Sequence, residues 1–182
     1  MTDLDRLRRL LRDRSLRRGD FVLTSGARST YYIDARLTTM SGIGQLVLGR
    51  AGLAALDERG WQPAGVGGLT LGADPAAYAI AHAAAAAGRM LDAFTVRKEA
   101  KTHGTARLVE GPLPEGGDVV VIEDVLTTGG SALKAIAAVR AAGARVLGVL
   151  AVVERDADGR QHLAEEGVEL LALTTATELL ES

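Results

Sequence analysis

The run Val119-Val120-Val121-Ile122 passes directly into Glu123-Asp124, then Thr127-Thr128-Gly129-Gly130-Ser131, then an apolar-periodic segment from Ala132 to Ala142. A short, continuous, β-branched run suits a strand buried on both faces of a parallel sheet. Ala132, Leu133, Ile136, Ala137, Val139 and Arg140 keep helical spacing, and Gly143 stands where a helix closes at C′. The order is therefore strand, acidic pair, hydroxyl-rich glycine loop, helix. Unpaired N–H groups and the macrodipole at a helix start attract phosphate, and the Thr and Ser hydroxyls add donors. The spacing is neither G-x-x-x-x-G-K-[ST] nor G-x-G-x-x-G, which disfavours a triphosphate loop and a dinucleotide fingerprint. Two carboxylates are poor neighbours for phosphate alone. They suit a sugar phosphate, whose hydroxyls donate to the acids while its phosphate takes the amides.

Strand and helix patterns repeat on both sides of this stretch. Upstream, a helix with Leu4, Leu7, Leu10 and Leu11 is predicted after an Asp3 cap, then a hairpin of Phe21–Leu23 with Thr30–Asp34. Tyr31 and Tyr32 adjoin in the second of these strands and point to opposite faces. A long helical pattern, Ser41 to Arg59, ends at Gly60. A strand at Ala64–Gly68 then leads through Leu69-Thr70-Leu71-Gly72-Ala73 to Asp74, a predicted N-cap with Pro75 at N1 of a helix over Ala76–Ala87. The strand Met90–Val96 runs into Arg97-Lys98-Glu99-Ala100-Lys101-Thr102-His103-Gly104, a cationic stretch before a possible hairpin at Ala106–Glu110. Its place suits a mobile lid over an anion. Downstream come a strand Arg145–Val153, Arg155 in a polar loop, a helix to Glu166, a strand Val168–Leu173 and a helix Thr175–Leu180. The alternation predicts an α/β fold with an open, mainly parallel sheet flanked by helices and right-handed connections. Ligands of such sheets bind beyond the carboxyl ends of the strands. Leu71-Gly72, Arg97-Lys98, Glu123-Asp124 and Arg155 each follow a predicted strand and should converge there.

Composition removes several classes of function. The 182 residues are expected to form a single domain spanning 1–182. The chain has no cysteine, which excludes disulfides, thiolate zinc sites and a cysteine nucleophile. A net charge of −2, with Asp3, Asp5 and Asp13 among the N-terminal arginines, predicts no nucleic-acid partner. No apolar secretory core precedes Ser15, and the apolar stretch at Ala76–Ala87 contains His82 and is too short for a bilayer. A cytoplasmic protein without a membrane partner is expected.

Three stretches carry a family resemblance. Val119 to Ser131 resembles the phosphoribosyl pyrophosphate (PRPP) motif of the type I phosphoribosyltransferases. Phe21-Val-Leu-Thr-Ser-Gly-Ala-Arg-Ser-Thr-Tyr-Tyr-Ile-Asp34 and Arg97-Lys-Glu-Ala-Lys-Thr-His-Gly104 are similar to two segments of the orotate phosphoribosyltransferases. The resemblance covers about Asp3 to Arg155, with no decarboxylase domain following. It implies the type I fold, with residues 1–40 and C-terminal segments forming a small hood and with a flexible catalytic loop. The implied reaction joins orotate to PRPP, giving orotidine 5′-monophosphate and pyrophosphate in pyrimidine (UMP) biosynthesis.

On the same basis, the PRPP site comprises Arg97, Lys98, Lys101, His103 and the run Glu123, Asp124, Val125, Leu126, Thr127, Thr128, Gly129, Gly130 and Ser131. Lys101, His103 and Asp124 would be catalytic. Thr127, Arg155, Tyr31 and Tyr32 would hold orotate, with Arg155 on its carboxylate. Mg²⁺ is implied as cofactor, carried mainly by PRPP and water with no certain protein ligand. A homodimer sharing its catalytic loop between subunits is implied too. One branch of the family has lysines where this chain has Thr24 and Leu71. Arg28 and the amides of residues 71–73 are the expected substitutes. The rival readings are transfer to another base, such as a purine, and a non-catalytic PRPP-binding regulator.

Overall fold

The computed structural model describes residues 1–22, 26–99 and 108–181. Its centre is a six-stranded sheet in the order β5-β4-β3-β6-β7-β8. These strands are β3 (Gly65–Leu69), β4 (Asp92–Val96), β5 (Val109–Glu110), β6 (Asp118–Leu126), β7 (Arg145–Glu154) and β8 (Leu170–Thr175). All neighbours run parallel except β5, which pairs antiparallel with β4 at the edge. The valine-rich run behaves as a doubly buried strand must. Val120 and Ile122 enter the apolar cluster on one face, Val119 and Val121 the cluster on the other. Leu150 and Val152 alternate with Val149 and Ala151 in the same way.

Helices cover both faces. α1 (Asp3–Leu10), α3 (Gly42–Arg59) and α4 (Ala73–Ala86) supply Leu7, Leu48 and Ile80 to one cluster. α5 (Gly130–Ala141) and α6 (Ala157–Glu165) supply Ile136, Val139 and Leu163 to the other. Residues Leu11–Ser15 form a π-helical turn leading into the antiparallel hairpin of β1 (Leu16–Val22) and β2 (Arg28–Ile33). Arg18 of the hairpin donates to the Leu180 carbonyl of α7 (Ala176–Glu181), 2.6 Å away.

Boundaries differ from expectation at several elements, among them the strand β1, which begins at Leu16 and not at Phe21, and the starts of α1, α3 and α4. Thr2, not Asp3, caps α1, in a reciprocal capping box with Asp5. A four-residue helix, α2 (Arg36–Thr39), precedes the Ser41 cap of α3. Asp74 lies inside α4 behind a Gly72 N-cap, because its carboxylate is taken by Thr70 at 2.7 Å and Thr95 at 2.9 Å.

One topological feature places the site. From β3 the chain moves through α4 to β4 on one side, and from β6 through α5 to β7 on the other. The order reverses between β3 and β6, and an α/β sheet opens its ligand crevice at such a point.

Candidate active site

A cavity of about 680 Å³ lies at that reversal. Leu69 to Gly72 form its wall after β3, and Glu123 to Val125 with Thr127, Thr128 and Ser131 form its wall at the end of β6. Lys98 closes it from the β4 side, Arg155 and Asp156 from the end of β7, and Tyr32 to Arg36 from the hairpin. Convergence on one sheet edge is therefore observed for Leu71-Gly72, Lys98, Glu123-Asp124 and Arg155.

The acidic pair belongs to the strand rather than to the loop after it. β6 continues to Leu126 because β7 keeps pairing with it, Glu123 opposite Ala151 and Leu126 opposite Glu154. Burial follows from that placement. Glu123 is 9% exposed, and its carboxyl is pushed up to about 8, chiefly by desolvation and further by the neighbouring Asp124. Asp124 is half-buried and rests against Gly72. A Cβ on that glycine would stand 2.5 Å from Asp124 Oδ1.

Beyond the pair, residues 125–131 with Glu123 enclose a polar hollow of about 50 Å³. Gly129, at φ +81°, is the N-cap of α5 and turns the chain so that the first amides of the helix face the hollow. Leu126 takes part through its backbone only. Its side chain is buried, and its carbonyl accepts from Arg155 N–H at 2.8 Å. α6 backs the loop. A Cβ on Gly159 would lie 2.3 Å from the Thr127 carbonyl, and His162 Nδ1 donates to the Thr128 carbonyl at 2.9 Å. Arg160 fastens α6 to β7 by paired bonds of 2.8 and 2.6 Å to Glu154.

On the hairpin side, Arg155 stands out. Its side chain is 9% exposed, its guanidinium lies 5.0 Å from the Tyr31 ring centroid, and its Nη2 donates to Ser29 Oγ at 3.1 Å. Its Nε is buried without a hydrogen-bond partner among the described residues, and Asp156 Oδ2 lies 3.8 Å away. Tyr32 reaches the cavity while Tyr31 does not; Tyr31 supports Arg155 from beneath. Arg36 and Asp34 also line the cavity, joined by bonds of 2.8 and 3.0 Å. That guanidinium holds the Asp34 carboxyl below the usual carboxylate range.

Arg97 and Arg28 lie off the cavity wall. Arg97 Nε donates to the Glu99 carbonyl at 3.3 Å and its Nη1 lies 3.8 Å from Glu110. Arg28 borders a separate hollow on the hairpin with Asp20 and Phe21. Arg36 lines both the cavity and an adjoining hollow together with Leu71, one of the two expected lysine positions. Lys101, His103 and Thr24 fall outside the described residues. Among the described residues, no group of three or more His, Asp or Glu side chains is placed to hold a metal, and no helix is long and apolar enough to cross a membrane.

Comparison with known proteins agrees with this architecture. Residues 56–169 match the phosphoribosyl transferase domain family. An orotate phosphoribosyltransferase of Rhodopirellula baltica is 45% identical over 177 residues, covering 95% of this chain and 92% of the relative. One from Aquifex aeolicus is 44% identical over 183 residues, covering 99% of each chain. The chain belongs to the orotate phosphoribosyltransferase family. The crystal structure of the Mycobacterium tuberculosis orotate phosphoribosyltransferase in complex with PRPP superposes with a TM-score of 0.82 at 38% identity, covering 97% of this chain and 98% of that one.

For a member of the orotate phosphoribosyltransferase family, the cavity holds more than its motifs announced. Asp34 was visible as the last residue of the Phe21–Asp34 segment. Arg36 and Asp156 carried no spacing signal, and Ser29, a fixed position of the Phe21–Asp34 segment, gave no sign of its bond to Arg155, since these relations are made by contacts across the fold.

Proposed function

We propose that this chain transfers the phosphoribosyl group of PRPP to orotate, releasing pyrophosphate and forming orotidine 5′-monophosphate in pyrimidine biosynthesis. The observation that carries the reading is the meeting, on one cavity, of a sugar-phosphate seat at Glu123–Ser131 with a buried guanidinium, Arg155, backed by an aromatic ring. A planar fork of donors suits a planar carboxylate. A purine base carries no carboxylate for it.

In this reading the amides and hydroxyls of Thr127 to Ser131 hold the 5′-phosphate, with Val125 and Leu126 contributing backbone. Glu123 and Asp124 accept from the ribose hydroxyls. Arg155 takes the orotate carboxylate, Thr127 and Tyr32 border the base, and Tyr31 stiffens Arg155. The bond from the anomeric carbon to the pyrophosphate oxygen breaks as the pyrimidine nitrogen bonds to that carbon. Positive charge then grows on the ribose ring beside Asp124, and negative charge on the leaving group. Lys98, Lys101 and His103 neutralise the latter, and His103 also serves as proton donor. Catalysis is by position and electrostatics, without a covalent enzyme intermediate.

Mg²⁺ fits this site as an ion carried by substrate. The described carboxylates at the cavity form no three-ligand cage, and burial keeps Glu123 largely protonated near neutrality. Oxygens of PRPP and water would then complete its shell, with Asp124 the nearest acid at the ribose, as is usual for this reluctantly dehydrated ion. When bound, it supplies charge neutralisation on the pyrophosphate.

The β1–β2 hairpin, with α7 against it, serves as the hood over the acceptor side. The homodimer is assigned to the face where Leu37, Met40, Ile43, Leu46, Leu71 and Tyr78 are exposed. A hollow of about 440 Å³ there shares Asp34, Arg36 and Leu71 with the main cavity, so a second subunit on this face would reach the site.

Substitution of Arg155 tests the assignment of the acceptor side. Arg155→Ala should raise the KM for orotate on the order of 100-fold, as expected for losing charged hydrogen bonds, while the KM for PRPP stays unchanged. Unaltered orotate kinetics would refute the carboxylate clamp.

A further inference from the structure

We infer that Ser29 is a positioning residue for the acceptor: it fixes the azimuth of the Arg155 guanidinium from the hood hairpin and so governs affinity for a carboxylated base. The inference rests on the reading of Arg155 as the carboxylate clamp. It starts from hydrogen-bond valence. A serine hydroxyl has one donor and two acceptor lone pairs. Ser29 Oγ lies 2.7 Å from the Tyr31 carbonyl, 3.3 Å from Tyr31 N and 3.1 Å from Arg155 Nη2. A carbonyl only accepts, whereas a backbone amide and a guanidinium only donate. The hydroxyl therefore donates to the Tyr31 carbonyl and accepts from the other two, and all three capacities are used. No capacity is left for a ligand. Ser29 acts through Arg155.

The partner needs such an anchor. Arg155 reaches the cavity from the end of β7, and its long side chain has several rotatable bonds to order. Among the described residues its guanidinium makes one hydrogen bond, to Ser29; the Tyr31 ring confines it from below. The ring fixes the plane of the fork, and Ser29 fixes its rotation within that plane. Ser29 and Arg155 are 126 residues apart in sequence. Their bond therefore ties the hairpin to the central sheet across the acceptor side of the cavity.

A double-mutant cycle with orotate and PRPP as varied substrates tests this. Ser29→Ala should raise the orotate KM roughly tenfold, the scale of one hydrogen bond to a charged group, and leave the PRPP KM unchanged. Ser29→Thr, which keeps the hydroxyl, should restore the orotate KM. Ser29→Ala should have no further effect in an Arg155→Ala background, because the group it positions is gone. Equal losses for both substrates, failure of the threonine variant to rescue, or additive effects with Arg155→Ala would each overturn the inference. If Arg155→Ala alone leaves the orotate KM unmoved, the clamp reading fails instead, and the two failures are distinguishable.

Discussion

Gly72→Ala separates the position of Asp124 from the stability of the fold. Gly72 has helical dihedrals, φ −62° and ψ −44°, so an alanine strains no backbone. Its Cβ would, however, stand 2.5 Å from Asp124 Oδ1 and 2.6 Å from Cγ and Oδ2. Ordinary contact begins at 3.4 Å, so the carboxylate must retreat by about 0.9 Å. Pushing a half-exposed side chain off its rotamer costs about 0.5–1.5 kcal/mol. Displacing a reacting group by ~1 Å costs roughly 100-fold in rate, or about 2.7 kcal/mol of barrier. Gly68→Ala is the control. Its Cβ would meet the Ile122 carbonyl of β6 at 2.1 Å, and backbone of a central strand cannot swing aside. Steady-state kinetics with varied PRPP, beside thermal unfolding, should show Gly72→Ala losing kcat/KM with little change in Tm, and Gly68→Ala losing Tm. Unaltered turnover in Gly72→Ala, or a loss of Tm equal to that of Gly68→Ala, would refute the argument.

Glu123→Gln should gain stability with pH. The carboxyl titrates near 4.5 unfolded and about 8 folded, so below 4.5 both states hold the proton and the acid costs nothing. As pH rises from there through 8, the unfolded state releases the proton first and the unsubstituted protein loses stability. The difference in Tm in favour of the variant should therefore vanish in acid and reach its maximum above pH 8 in thermal melts. Ile43→Asp and Leu46→Asp should shift sedimentation toward monomer at low concentration, each placing a charge on the proposed apolar face. Mixing Lys101→Ala and Arg155→Ala proteins should restore activity after subunit exchange, read at low orotate, where each variant alone turns over slowly. A flat result would refute lid sharing.

Legibility from sequence varied with how local the cause was. Val119 to Ile122 was readable as a doubly buried strand because each residue is apolar, whichever face it meets. The same strand's extension through Glu123-Asp124 was not, since β-pairing with residues 151–154 of β7 overrides two acids with little strand propensity. Asp74-Pro75 carried the local signature of a cap, but hydroxyls of Thr70 and Thr95 compete for that carboxylate, and α4 starts two residues earlier. Among the residues lining the cavity and the hollow beyond it, the Glu123–Ser131 run, Lys98, Tyr32 and Arg155 could be read from motifs in series. Arg36, on an α2 too short to show a period, lines the cavity where Arg28 does not. Ser29's bond to Arg155 spans most of the chain, and no spacing rule reaches that far.

The central claim is that this cavity joins PRPP to a carboxylated pyrimidine. A spectrophotometric assay with PRPP and Mg²⁺ tests it directly, offering orotate beside uracil, hypoxanthine and adenine. Orotate should be consumed with stoichiometric release of pyrophosphate, and the three bases that lack a carboxylate should not. Failure to consume orotate, or faster use of a purine, would contradict the account.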